Sequence, residues 1–311
     1  MIHKPVLLKE IIQKLKINKN AIVVDATLGG GSYSKVILNK IGPKGKLIAI
    51  DKDILAIDNF KKKIKKQRNV FLFQDSFSNL DKILASLTIK KVNNIVADLG
   101  VSSDQLESKE RGFSYKYEDA PLDMRMNYSQ KLTAEQVINS YTETQLKKIF
   151  WEYGNEYFSR NIAKNIVRTR QKKKIKTVGD LMLIIQKSIP QKNQQKNFRI
   201  HWATRTFQAL RIEVNHELED LKKFLEISID RLKKGGRLGV VSFHSGEDKL
   251  VKKIFQENAR GCICPENFPV CRCGHTSKVK IINSKPIVSS EKEVENNFRA
   301  RSAKLRLVEK I

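Results

Sequence analysis

The chain has 311 residues, 40% apolar and 30% charged, with 60 Lys and Arg against 33 Asp and Glu for a net charge of +27. That length predicts about two domains, and that composition excludes a collagen, a mucin and a disulfide-stapled mini-protein. The longest apolar run, 181–185, is five residues, against the roughly 20 a bilayer-spanning helix needs, and the periodic apolar spacing excludes full disorder.

Residues 21–25 (AIVVD) are a short apolar run ending in an acid. The glycine turn Gly29-Gly30-Gly31 follows, then a helical stretch to Ile41. After a turn at 42–45, residues 46–51 (KLIAID) are a second run ending in an acid. Residues 53–66 read as a basic amphipathic helix, 70–73 as a third run and 79–87 as a helix. Residues 92–98 (VNNIVAD) are a fourth run, again ending in an acid. Continuous apolar runs alternating with helices predict βαβ units and a buried parallel sheet.

From 108 to 213 no strand is predicted. Thr133, Thr142 and Thr177 read as helix N-caps, with Gln136, Gln145 and Asp180 at the capping-box position. Residues 171–176 and 191–197 are polar and basic and read as loops. The segment is a helical insertion of about a hundred residues. The α/β pattern then returns. Leu218, Leu221, Leu225 and Leu232 share a helix face that Lys234-Gly235-Gly236 would end, 237–243 is a strand, and 247–256 a helix. Two antiparallel runs, 279–288 and 303–308, close the pattern. The expected fold class is α/β, with a doubly wound, mostly parallel sheet interrupted by a helical insertion. The expected domains are a core of 1–107 and 214–311 around an insertion of 108–213.

A doubly wound sheet binds ligands at the carboxyl ends of its strands. Residues 25–33, Asp51, 75–77 and 98–105 should therefore converge on one crevice, with His244 and Ser245 beside it. The turn 25–31 has the form D-x-x-x-G-x-G, and Asp51 stands 20 residues after Gly31. That spacing suits a carboxylate that accepts both ribose hydroxyls, in nicotinamide or S-adenosylmethionine binders alike. The acid ahead of the glycines favours the second. Asp98 either caps the following turn or orients an exocyclic amine, whose delocalised lone pair needs a positioned acceptor before it can attack a methyl donor.

The charge suits a nucleic-acid partner, although lysines that merely fill solvated faces give a similar balance. Arg111, Arg125, Arg205, Arg211 and the stretch 297–306 are arginine-containing patches, each open to phosphate binding or to an internal salt bridge. Cys262, Cys264, Cys271 and Cys273, with His275 nearby, suit either a zinc site or reduced thiols. His244 is open between a base, an RNA contact and a strand-end residue. The N-terminus carries no apolar signal region, and the expected location is cytoplasmic.

Residues 27–31, 98–103 with Gln105-Leu106, RGF at 111–113, PLDMRM at 121–126, SFHS-x-ED at 242–248 and RARSAKLR at 299–306, together with His3-x-Pro5-Val6-Leu7, occur in order along the chain. This ordered set resembles the RsmH (MraW) methyltransferases. The resemblance implies a seven-stranded methyltransferase sheet with an RNA-recognition insertion. It implies S-adenosyl-L-methionine as cofactor and the N4 amine of a cytidine in bacterial 16S ribosomal RNA as target. Implied cofactor contacts are Gly31, Ser32, Tyr33, Asp51 at the ribose, Phe77 near the adenine, Asp98 and Gln105; Asp98 is also the expected catalytic residue. No resident metal is expected. The implied partner is small-subunit ribosomal RNA or the small ribosomal subunit, with no membrane, and a homodimer is left open. The chain departs from the family pattern at Ser32-Tyr33, where Gly-His is usual, and at Asp104, Gly246 and Phe298. A non-catalytic RNA-binding or assembly factor, and an amino-methyltransferase acting on DNA or protein, are the rival readings.

Overall fold

The computed structural model describes residues 5–64, 67–194, 201–262, 264, 268, 270 and 272–311. Helix α1 (Leu8–Lys14) precedes an alternating stretch: β1 (Ile22–Asp25), α2 (Ser32–Ile41), β2 (Lys46–Asp51), α3 (Ile54–Lys63), β3 (Val70–Gln74), α4 (Leu80–Ser86) and β4 (Val92–Asp98). Six helices follow: α5 (Ser103–Glu107), α6 (Ala134–Ser140), α7 (Glu143–Glu152), α8 (Ser159–Arg170), α9 (Val178–Ser188) and α10 (Thr204–Asn215). The chain closes with α11 (Glu217–Arg231), β5 (Leu232–Ser242), α12 (Ser245–Ala259), β6 (Val279–Ile281), β7 (Ile287–Val288), α13 (Glu291–Asn296) and β8 (Lys304–Lys310). Two compact units result: Met1–Gly100 with Leu218–Ile311, and Val101–Glu217.

The first unit is built on one sheet of order β3-β2-β1-β4-β5-β8-β6, with β7 also paired to β8. Strands β3 to β5 are parallel, and β8 runs antiparallel to β5. Successive residues of each strand face opposite sides. Val24, Ile48, Ile50, Ile95 and Val240 pack against α4, α11 and α12, while Val23, Leu47, Ala49, Val96 and Val241 pack against α1, α2 and α3. Both faces are therefore dry, which is why these strands read as continuous apolar runs. Each such Val or Ile contributes about 1.5–3 kcal/mol by leaving water.

Two sequence expectations need correction. Among the described residues the sheet has eight strands rather than seven, because the run 279–288 splits into β6 and β7. Between them the Asn283 side chain replaces the ladder: its Nδ2 donates to Leu305 O at 2.9 Å and its Oδ1 accepts from Leu307 N at 2.8 Å. The second correction concerns the glycine pair expected to end a helix. Helix α11 stops at Arg231, and Leu232 already pairs with Val92 in β5. The ladder then shifts register before Arg237 pairs with Asn94, so residues 233–236 form a bulge inside the strand. Leu232 thus packs from the sheet, not from the helix.

The second unit is helical; its one β-type pairing among the described residues is an isolated bridge, Pro121–Thr177. Thr133, Thr142 and Thr177 each cap a helix with the reciprocal bond from Gln136, Gln145 and Asp180 in place. Its core gathers Leu122, Val137, Leu146, Phe150, Ile162, Leu181 and Leu210. Of the stretch 191–197, Gln191–Asn193 form a turn of 3-10 helix, and 195–197 lie outside the described residues.

Candidate active site

In the first unit the chain leaves β1 toward β2 and β3 on one side and returns to β4 on the other. The β1–β4 seam is thus the topological switch point, where open α/β sheets hold ligands. Three acids stand at the strand ends there: Asp25, Asp51 and Asp98. The β1 and β4 ends are tied together. Ala26 N donates to Val96 O at 2.8 Å, and Asp98 N donates to Thr27 Oγ1 at 2.6 Å.

Asp25 is 1% exposed. Its Oδ2 accepts the Ser34 hydroxyl at 2.6 Å and its Oδ1 accepts Thr27 N at 3.3 Å. It braces the turn from below. Burial pushes its carboxyl up to about 7, against the opposing pull of Ser34 and Thr27. The glycine turn above it leans on the neighbouring acid. Gly29 N donates to Asp51 Oδ2 and Asp53 N to Asp51 Oδ1, each at 2.8 Å. A carboxylate has about four lone-pair sites, so each Asp51 oxygen keeps one for a further donor. Burial raises this carboxyl to about 6, and the two backbone donors hold it back.

Gly31 has φ 77° and begins α2. A Cβ there would lie 2.2 Å from Phe60 Cδ2, so both the backbone turn and the ring beneath demand glycine. Tyr33 turns inward: it is buried in the α1–α2 side of the core, and its hydroxyl donates to Val6 O. Its phenol is pushed far up by burial and by the nearby Asp98 and Asp25. The backbone N–H groups of Ser32 and Tyr33 lie in the first turn of α2, where they have no helical acceptor.

Asp98 differs from the other two acids. Its Oδ1 is buried and has no hydrogen-bond partner among the described residues. Burial drives its carboxyl well above the usual range, and Asp25 and Glu247 add repulsion. An unpartnered buried acceptor is costly, and it is the kind of atom a ligand donor would satisfy.

At the end of β3, Phe77 is half-buried with its ring 4.9 Å from Phe224. Beside it lies a network that sequence reasoning missed. Ser76 Oγ donates to Asp220 Oδ2 at 2.8 Å, and Lys52 Nζ stands 2.7 Å from the same oxygen. No local signal could reveal it, since Asp220 comes from α11. Gln105 belongs to the second unit. There it is buried, and its Oε1 accepts Ser102 N at 3.0 Å in the capping box of α5.

His244 is the N-cap of α12: its Nδ1 accepts Glu247 N at 3.4 Å. Buried Glu247 returns the bond by accepting Phe243 N at 2.8 Å through Oε2. This pair holds the β5 end. Most of the arginine patches prove internal. Arg306 pairs with Asp248 at 2.6 Å, Arg211 grips Glu217 through two bonds of 2.8 and 2.9 Å, and Arg125 grips Asp123 at 2.9 and 2.7 Å. Arg111 is 1% exposed and donates to Met126 O at 3.2 Å. Arg205 is different. Its guanidinium lies 5.0 Å over the Tyr157 ring, which meets Trp151 edge-on at 6.1 Å. Tyr157 is 70% exposed and Trp151 53%.

A doubly wound sheet with three acids around a glycine turn at its switch point has the form in which such folds hold nucleotide-type ligands. The chain matches the MraW methylase family over residues 1–311 and belongs to that family. It is 51% identical over 309 residues to the ribosomal RNA small subunit methyltransferase H of Clostridium botulinum (strain Kyoto / Type A2), covering 99% of each chain. It is 48% identical to the protein of the same name from Halothermothrix orenii, covering 99% of this chain and 98% of the other. Among solved structures, an rRNA methylase from Streptococcus thermophilus matches with a TM-score of 0.43 and 11% identity, over 100% of this chain and 99% of the other.

Proposed function

We propose that this chain methylates small-subunit ribosomal RNA, taking the methyl group from S-adenosyl-L-methionine and placing it on the N4 amine of a cytidine. The names of relatives at about half identity support the ribosomal RNA substrate. The observation that carries the cytidine-amine reading is the buried, unpartnered Oδ1 of Asp98 at the switch point. S-adenosylmethionine, when bound, supplies a sulfonium-activated methyl group.

The residues present fit such a cofactor. Asp51 would accept the ribose hydroxyls on the lone pairs its backbone donors leave open. Gly31, Ser32 and Tyr33 would contact it through backbone, and Phe77 would lie near the adenine. The role of Gln105 rests on the family resemblance. Asp98 would accept an N–H of the target amine and hold its lone pair toward the methyl carbon, which is catalysis by positioning with electrostatic help. Methylation would leave the amine nitrogen positively charged, with a proton to lose. A carboxylate made basic by burial suits removal of the extra proton. The target base would leave its stack to enter.

The test is transfer of labelled methyl to unmodified small subunits, naked ribosomal RNA, DNA and protein, followed by digestion to nucleosides or amino acids. Label in N4-methylcytidine, lost on Asp98→Ala, is the expected result. Label in another product discards the target. No label from folded, cofactor-binding protein favours the assembly-factor reading.

A further inference from the structure

All four cysteines fall in the segment that joins α12 to β6. The strand-end site uses none of them. The Sγ atoms of Cys262, Cys264 and Cys273 lie within 4.8 Å of one another; Cys271 lies outside the described residues. Cys262 Sγ and Cys273 Sγ are 3.8 Å apart. A disulfide would place them at about 2.05 Å. A tetrahedral zinc ion with Zn–S bonds of about 2.3 Å sets its sulfurs about 3.8 Å apart. The separation fits the metal and not the disulfide.

The backbone agrees. Cys264 N donates to Cys262 Sγ at 3.4 Å, and His275 N donates to Cys273 Sγ at 3.4 Å. Both bonds reach back two residues, so each half of the segment wraps its sulfur in the same way. N–H donors aimed at sulfur suit a charged thiolate better than a thiol. Gly274, at φ 59°, makes the second wrap. His275 Nδ1 is buried and has no hydrogen-bond partner among the described residues.

We propose that this segment binds one zinc ion through the thiolates of Cys262, Cys264 and Cys273. Each Zn–S bond forms as an S–H proton leaves to solvent, and no electron is transferred. Soft sulfur ligands in near-tetrahedral array select zinc over hard cations. The ion would pin the end of α12 to the start of β6 and give a loop of this length a fixed shape.

The full chain, purified with reductant, would be incubated with zinc or with cobalt, desalted and assayed for metal. One ion per chain and a sulfur-to-cobalt charge-transfer band are expected. Cys264→Ser should weaken binding at least tenfold and dim the band, with the circular dichroism of the chain unchanged. No retained metal, no band, or a Cys264→Ser variant that binds as the parent does would overturn the proposal.

Discussion

The backbone N–H of Asp98 donates to the Thr27 hydroxyl over 2.6 Å, which fixes the end of β4 against the turn that leaves β1. The bond fixes the Asp98 backbone, while the buried Oδ1 of its side chain is left without a partner among the described residues. The two facts together describe a positioned, unsatisfied acceptor.

That arrangement makes an expectation of opposite signs. Asp98→Asn should lower methyl transfer by roughly 10²–10⁴-fold. It should also raise the thermal midpoint of the cofactor-free protein relative to the parent, increasingly as pH rises above the ordinary carboxylate range, because the amide escapes the cost of ionising a buried carboxyl. A purely structural acid would show the reverse pair, lower stability with activity retained. Steady-state rates and thermal unfolding of the same preparation decide between them.

Asp51 sets a pH dependence for cofactor binding. Its carboxyl lies at about 6, and both oxygens already accept backbone N–H groups. The ionised form alone has a lone pair left on each oxygen for the ribose. Affinity should therefore be full above about pH 6 and fall as pH drops through it. Asp51→Asn should bind weakly at every pH, with a flatter profile. Calorimetric titration of S-adenosylmethionine between about pH 5 and pH 8 measures both. A parent profile as flat as that of the Asp51→Asn variant would remove the ribose role.

Asp25 makes the corresponding expectation for stability. Its folded value of about 7 exceeds the ordinary 3.8. Between those values the folded chain holds a proton that the unfolded chain has lost. Stability must then fall as pH rises through that window, by on the order of 4 kcal/mol at most. Asp25→Asn keeps an acceptor for the Ser34 hydroxyl and removes the titration. The variant should gain on the parent steadily from about pH 4 to about pH 7 in urea unfolding, with no further gain above. Parallel curves would mean that Asp25 stays ionised.

The strand-end acids were legible because a parallel strand buried on both faces is written as an apolar run, and the run stops where the chain meets solvent or ligand. Caps were legible for a related reason. Thr177 and Asp180 recognise each other across three residues, and local chemistry suffices. The rest depends on distance. Asp220 meets Ser76 from 144 positions away. No sequence window separates an arginine that binds phosphate from Arg306, which is buried against Asp248. The unpartnered oxygen of Asp98 is also invisible in sequence, since burial and the lack of donors arise only once the fold closes. The β5 bulge is not legible in the sequence, because a glycine pair after a helix serves a cap and a register shift equally well.

The Trp151–Tyr157–Arg205 cluster of the helical unit carries the last expectation. Two exposed aromatic rings and a guanidinium lying over one of them have the chemistry of the platforms on which RNA readers stack unpaired bases. Under the RNA reading, Tyr157→Ala and Trp151→Ala should each weaken binding of single-stranded ribosomal RNA by about 1–3 kcal/mol, roughly 5- to 150-fold. The salt dependence should not change, because no phosphate contact is lost. Replacing exposed Lys148 on α7 with Ala should do the opposite if it meets a phosphate, with a small loss of affinity and a salt slope shallower by about one. Both rings stand in solvent, so the fold should survive their removal. RNA affinity unchanged within about twofold at low and high salt in both aromatic variants would exclude this platform from the RNA contact while leaving the strand-end chemistry untouched.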